Sequence, residues 1–152
     1  MNLLDLEKRV RAHARDFNNT IFRKTDIVLF INEGIDRFAQ VIPELSNVPY
    51  LIIDTDDVKV IPKAYIHLLA NYTTSRLFNQ DERHYEATTL MNEFELKLEE
   101  FKEKVRDDKI VLLDYETGEP IEEVSKEDYV FDNYFFSTGD TSDPDDGVEG
   151  VE

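Results

Sequence analysis

The chain has 152 residues, 41% hydrophobic and 11% aromatic, with a net charge of −17 and no cysteine. That is one domain's worth of chain with apolar side chains enough for one modest core. It excludes disulfides and thiolate metal sites, and also nucleic-acid binding by phosphate neutralisation, which needs clustered Lys and Arg.

No window holds the ~20 apolar residues of a membrane-spanning helix, so no membrane partner is expected. Charges interrupt the apolar run of residues 1–9, which is not the pattern of a signal peptide. The expectation is a soluble protein made in a reducing compartment such as a cytoplasm.

In chain order, Asn2 is placed to cap a first helix with Asp5 at its third position, and Leu3, Leu6, Val10, Ala14 and Phe17 form one stripe. Asn18-Asn19-Thr20 breaks it. Thr25 is placed to cap a second helix, in which Ile27, Phe30 or Ile31, Ile35, Phe38 and Ile42 face one way until Pro43 ends it. Gly34 inside this helix costs about 1 kcal/mol relative to Ala. Either a close helix crossing or simple tolerance accounts for it.

Over residues 43–61 two apolar runs, 50–53 and 58–61, flank Asp54-Thr55-Asp56-Asp57. They suit a small β-hairpin or an extended loop with two apolar anchors. A connection this long between helices is often functional.

Residues 62–105 read as two antiparallel helices joined by a very short turn. Pro62 suits the first helical position. Tyr65, Leu68 or Leu69, Tyr72 and Ser75 to Arg76 recur at helical spacing, with Ile66, Ala70 and Leu77 widening the apolar face. Asn79 and Glu82 are spaced as a capping box for the next helix. That helix carries Ala87, Met91, Phe94, Leu98, Phe101 and Val105, alternating four and three apart, which is a seam of the a/d type.

Beyond it, residues 110–113 read as a strand and 116–120 as a turn, with a weak return over 121–124. Five aromatics, Tyr129, Phe131, Tyr134, Phe135 and Phe136, then fall within eight residues between acidic segments. Residues 107–152 hold 16 acidic and 2 basic residues, a net of −14, which leaves −3 for residues 1–106. From Thr138 onward Gly, Asp, Ser and Pro dominate, the composition of a disordered tail. The predicted fold class is therefore all-α: a bundle of about four helices over 1–106, an extension over 107–136 with a short β element and an aromatic arm, and a disordered acidic tail over 137–152.

Reactive constellations are scarce. His13, His67 and His84 fall on three different predicted helices, and one Asp81–His84 pair falls short of the repeated Glu-x-x-His of a di-metal bundle. The run 140–147 puts Pro144 at a calcium-ligand position and ends before the twelfth. No phosphate-cradling glycine loop or strained nucleophile turn is present. A non-enzyme without cofactor or metal is expected.

The order of these pieces carries a resemblance. Ile27-Val28-Leu29-Phe30-Ile31-Asn32-Glu33-Gly34-Ile35-Asp36-Arg37-Phe38 leads to Val41-Ile42-Pro43-Glu44-Leu45 and an acidic loop. Ile61-Pro62-Lys63-Ala64-Tyr65-Ile66-His67-Leu68-Leu69-Ala70-Asn71-Tyr72 and Ser75-Arg76-Leu77-Phe78 follow. Asp81-Glu82-Arg83-His84-Tyr85-Glu86-Ala87 then runs into Asn92-Glu93-Phe94-Glu95. Over roughly residues 1–105 this is similar to the head-to-tail adaptor (connector) proteins of tailed bacteriophages.

The resemblance implies a virion protein at the head–tail interface, assembled in the host cytoplasm. It would form a ring, usually of twelve copies, under the portal vertex. Its partners would be the portal protein, neighbouring copies and a tail or stopper protein, with DNA passing through without specific binding.

The residues fit this in their own terms. The aromatic cluster 129–136 suits an arm that docks on the portal, on a neighbour or back on its own bundle. The seam Met91, Phe94, Leu98 and Phe101 could pack within the subunit or against a neighbour. Asp54, Asp56 and Asp57 are candidates to face the channel, although a plain solvated loop predicts the same residues. The alternative is an acidic regulator or DNA mimic that binds a basic host protein.

Overall fold

The computed structural model describes residues 1–121 of the chain. Among them are four α-helices and no strand: α1 (Leu3–Ala14), α2 (Lys24–Val41), α3 (Lys63–Gln80) and α4 (His84–Arg106), with a 3-10 turn at Pro43–Leu45. The tail and residues 122–136 of the extension expected after residue 107 lie outside the described residues.

α3 is the central helix. Every residue from Tyr65 to Phe78 is buried or half-buried, because α1, α2 and α4 all pack against it. A helix enclosed on all sides must satisfy its polar side chains internally. The Thr73 hydroxyl donates to the Leu69 carbonyl at 2.7 Å, and Ser75 Oγ crosses to the Ala87 carbonyl of α4 at 2.6 Å. Thr74 Oγ1 is buried without a hydrogen-bond partner among the described residues.

The a/d pattern of α4 finds its partners inside the chain. Phe94, Leu98 and Phe101 are buried and Met91 is half-buried against the same core. Phe101 stacks on Tyr65 of α3 with ring centroids 4.3 Å apart, Phe94 meets Tyr72 at 5.1 Å, and Phe38 of α2 approaches Phe94 and Phe101 edge-on at 5.9 and 6.0 Å. Offset and edge-on contacts of this kind add ~0.5–1.5 kcal/mol each to the burial of the rings. Gly34 marks a close crossing of α2 over α3: a Cβ there would lie 3.1 Å from Leu69 Cδ2 and 3.3 Å from Tyr72 Cδ1.

The helix ends differ from their sequence signals. α1 stops at Ala14, so Phe17 leaves the expected stripe and is 74% exposed. Arg15, Glu82 and Asp108 adopt left-handed backbone (φ 60°, 61° and 58°). The amides that follow them, of Asp16, Arg83 and Lys109, return to the carbonyls of Arg11, Phe78 and Lys104 at 2.8 Å each. This closure satisfies terminal carbonyls and normally selects glycine at the left-handed position. It also explains why the predicted Asn79–Glu82 box does not form: Asn79 remains in α3 and the Glu82 backbone closes that helix, so α4 starts after Arg83.

Thr25 likewise lies inside α2, which is entered at Arg23 without a side-chain cap. Pro62 sits one position before α3, where its carbonyl accepts from Tyr65 N at 2.8 Å.

The possible hairpin at 43–61 is an irregular loop instead. Leu51 and Val58 are its buried anchors, and its single bridge, Asn2 with Asp57, is to the start of α1 rather than within itself. Residues 110–113 form no strand either. One antiparallel bridge, Leu113 with Pro120, closes a turn in which Asp114 Oδ1 accepts from the amides of Glu116 and Thr117, and those two donors hold its carboxyl below the usual range.

Candidate interaction surfaces

Two loops, neither of them regular in sequence, are held in place by dense hydrogen bonding. The first joins α1 to α2 and is organised by Asp16. This carboxylate is 1% exposed. Its Oδ2 takes Arg11 Nη1 at 2.6 Å and the Phe22 amide at 3.1 Å, while Oδ1 takes the amides of Thr20 and Ile21 at 2.9 and 3.1 Å. Burial alone would push its carboxyl up, but these backbone donors and the Arg11 charge outweigh it and hold it below the usual carboxylate range.

Arg11 is itself buried. Its Nε binds Glu7 at 2.9 Å, and Nη1 also donates to the Phe22 carbonyl at 3.1 Å. Lys24 extends the cluster to 3.4 Å from Glu7 and 2.6 Å from Asp54. Nothing in the apolar periodicity announces this network. The Glu7–Arg11 spacing beside the core stripe and the Asp-x-Asn-Asn-Thr run are its only traces in sequence.

The second loop runs from Tyr50 to Asp57 beside α2. Asn32 presents both halves of its amide to the backbone of Leu51, accepting at 2.8 Å and donating at 3.0 Å, as a strand neighbour would. One turn further along α2, Asp36 accepts from Tyr50 Oη at 2.9 Å.

The three loop aspartates each have a local partner. Asp54 binds Lys24 and Asp57 binds the terminal amine at 2.9 Å. Asp56 Oδ2 accepts from the amides of Ile53 and Ile52, which keep its carboxyl below the usual range. The loop also closes α1. The carbonyls of Asp56 and Asp54 accept from Leu3 N and Leu4 N at 2.8 and 3.2 Å, and Asn2 Oδ1 takes Asp5 N at 2.9 Å as the sequence predicts. Three of the four open donors of that helix start are thereby satisfied.

Both loops nevertheless leave apolar side chains in water. Phe17 and Ile21 project from the first, Ile52 (77% exposed) and Ile53 (60%) from the second. The α4 seam, by contrast, is enclosed within the chain. Tyr129, Phe131, Tyr134, Phe135 and Phe136 lie outside the described residues.

The histidines do not converge on a ligand site. His84 Nδ1 lies 3.3 Å from Asn79 Oδ1. His13 is pushed below its ordinary value by burial and by the neighbouring Arg9 charge. Among the described residues no group of three or more metal-ligating side chains occurs, and no helix is long and apolar enough to cross a membrane. Comparison of the chain with protein-family models, curated proteins and solved structures returns no match.

Proposed function

We propose that this chain is a structural adaptor of a tailed-phage particle, forming a ring of copies beneath the portal vertex that extends the DNA channel and offers a platform to tail or stopper proteins. The observation that carries the reading is the exposure of large apolar side chains on loops whose backbones are tied down. Phe17, Ile52 and Ile53 stand in solvent on segments held by buried carboxylate, amide and ion-pair contacts. Rigid, exposed apolar groups of this kind suit permanent contacts between chains. The order of helical elements in the resemblance supplies the kind of assembly.

In this reading Tyr129, Phe131, Tyr134, Phe135 and Phe136 form the arm that grips the portal or the adjacent copy. The residues beyond the bundle supply the acidic tail and, from the bridge of Leu113 with Pro120 onward, the short β element. The net charge of −17 gives the ring a surface that repels DNA and lets the duplex slide. Asp54, Asp56 and Asp57 are the candidates to face that channel, each also holding a partner within the chain. The ring requires no cofactor and turns over no substrate.

Cryo-electron microscopy of the protein within its particle tests the proposal. The expected result is a ring coaxial with the portal. Absence from every virion, together with a monomer in solution, would overturn it in favour of an acidic regulator. Removing residues 125–152 is expected to abolish portal docking while leaving the helical circular-dichroism signal unchanged.

A further inference from the structure

The stretch 8–23 is cationic in a strongly acidic chain. Its one carboxylate is Asp16, buried against Arg11. Lys8, Arg9, Arg15 and Arg23 are exposed, and none of the four is in an ion pair among the described residues. Lys24, the next cation along, is taken up by Glu7 and Asp54, and from α4 the Glu93 charge reaches this stretch at His13. Phe17 (74% exposed) and Ile21 (58%) stand among these cations. The loop that carries them is wound around one point, because Asp16 takes Arg11 and the amides of residues 20–22. Arg15, Phe17, Ile21 and Arg23 are therefore presented from one fixed knot.

The complementary chemistry lies later in the same chain. Residues 127–136 hold Glu127, Asp128 and Asp132, five aromatics and no cation. The other exposed apolar pair, Ile52 and Ile53, has Asp56 on its own amides and runs directly into Asp54. That surface would set like charge against such a segment. We propose that residues 131–136 dock on the cationic loop within one copy, with Tyr134, Phe135 and Phe136 against Phe17 and Ile21 and with Asp132 facing Arg15 and Arg23.

The reach of the chain allows it. Ile121, the last described residue, follows the C-terminal end of α4, where Ile110 N returns to the Lys104 carbonyl. The loop lies toward the other end, where Ala14 packs with Phe78 and Ala87. The 23 residues of α4 make that distance about 34 Å. From Ile121 an extended chain covers about 26 Å by Tyr129 and about 43 Å by Tyr134, so Tyr134, Phe135 and Phe136 are the aromatics that reach. A tether this short holds the segment at a high effective concentration, which favours the contact within a copy over the same contact between copies. The inference goes beyond the adaptor reading and does not rest on it. In that reading the loop is where the arm rests in a free copy.

Paramagnetic relaxation on the full-length chain tests the docking. Because the chain has no cysteine, a nitroxide on N18C, an exposed position in the loop, is the single probe. The amide signals of residues 131–136 are expected to be lost by broadening, while those of 140–152 stay sharp. The R15E/R23E reversal is expected to restore the lost signals with the helical amides unshifted, as is raised salt, which needs no substitution. Sharp 131–136 signals from the start, or broadening that survives both treatments, would overturn the proposal. Equal broadening of 131–136 and 140–152 would also overturn it, because attraction by charge alone draws the more acidic end of the chain at least as strongly. Mixing isotope-labelled wild type with unlabelled, nitroxide-bearing N18C is expected to broaden nothing. Loss of the 131–136 signals in that mixture would place the contact between copies and overturn docking within one. Every arm reads the free protein, so none of them depends on a ring or a virion.

Discussion

The α3–α4 seam and the α1–α2 junction bury side chains by opposite means. The seam is aromatic, with Phe38, Tyr65, Tyr72, Phe94 and Phe101 meeting ring to ring. The junction is ionic, with Glu7, Arg11 and Asp16 buried and each bonded. Burial of rings is nearly indifferent to pH and tolerant of small shifts. A buried ion pair is neither, because its desolvation is offset only while every partner stays in place.

The sharpest way to break the comparison is to damage each side once. Phe101→Ala is expected to cost about 4 kcal/mol, the loss of a fully buried ring plus the cavity it leaves, read as a urea-midpoint shift that stays constant with pH. Asp16→Asn is expected to cost about 3 kcal/mol at neutral pH, the lower end for a broken buried pair, since Glu7 still holds Arg11. Its pH dependence is what distinguishes the two. Asp16 has a depressed carboxyl pKa in the fold, so its contribution is full above the unfolded value of about 3.9 and fades as pH falls through the folded one. The wild-type and Asp16→Asn stability curves should therefore converge below about pH 4. Parallel curves down to acid unfolding would show that Asp16 acts through shape alone.

Two smaller changes sharpen the contrast from the backbone side. Gly34→Ala gains about 1 kcal/mol in helix propensity but drives a methyl against Leu69 and Tyr72 in the middle of the packed crossing. The overpacking cost of roughly 1–3 kcal/mol prevails, and thermal denaturation should show a net loss near 1 kcal/mol. Glu82→Gly removes the left-handed strain at the α3 closure. It should stabilise by about 0.5 kcal/mol after the extra freedom of glycine in the unfolded chain is subtracted.

The same contrast explains what could be read in the sequence. Apolar side chains at spacings of four and three are sufficient to place α4 and its seam, because a buried stripe on a helix leaves a periodic trace. The junction leaves none. Glu7 and Arg11 resemble solvated surface residues, and Asp16 looks like part of a polar break, since Asp16 is held by the amides of residues 20–22, Arg11 by Asp16 and the Phe22 carbonyl, and Glu7 by Arg11. The closures at Arg15, Glu82 and Asp108 were hidden for a related reason: a left-handed position filled by a charged residue carries no glycine to mark it. The loop over 50–57 fell between the two cases. Its buried anchors Leu51 and Val58 were legible as apolar runs, but the Asn32 amide that aligns the backbone lies on a helix 19 residues upstream. The aromatic arm was legible as composition and lies outside the described residues.

The closure of α1 by the second loop has a kinetic consequence. The carbonyls that accept from Leu3 and Leu4 belong to residues some fifty positions later, so α1 is completed only after α2 and the loop beyond it have folded. Closing so long a segment carries an entropic cost that a local cap would not. A nascent chain ending before residue 54 should hold α1 as a fraying helix. In the finished protein, amide exchange at Leu3 and Leu4 should follow the opening of the 50–57 loop rather than the local fraying of α1.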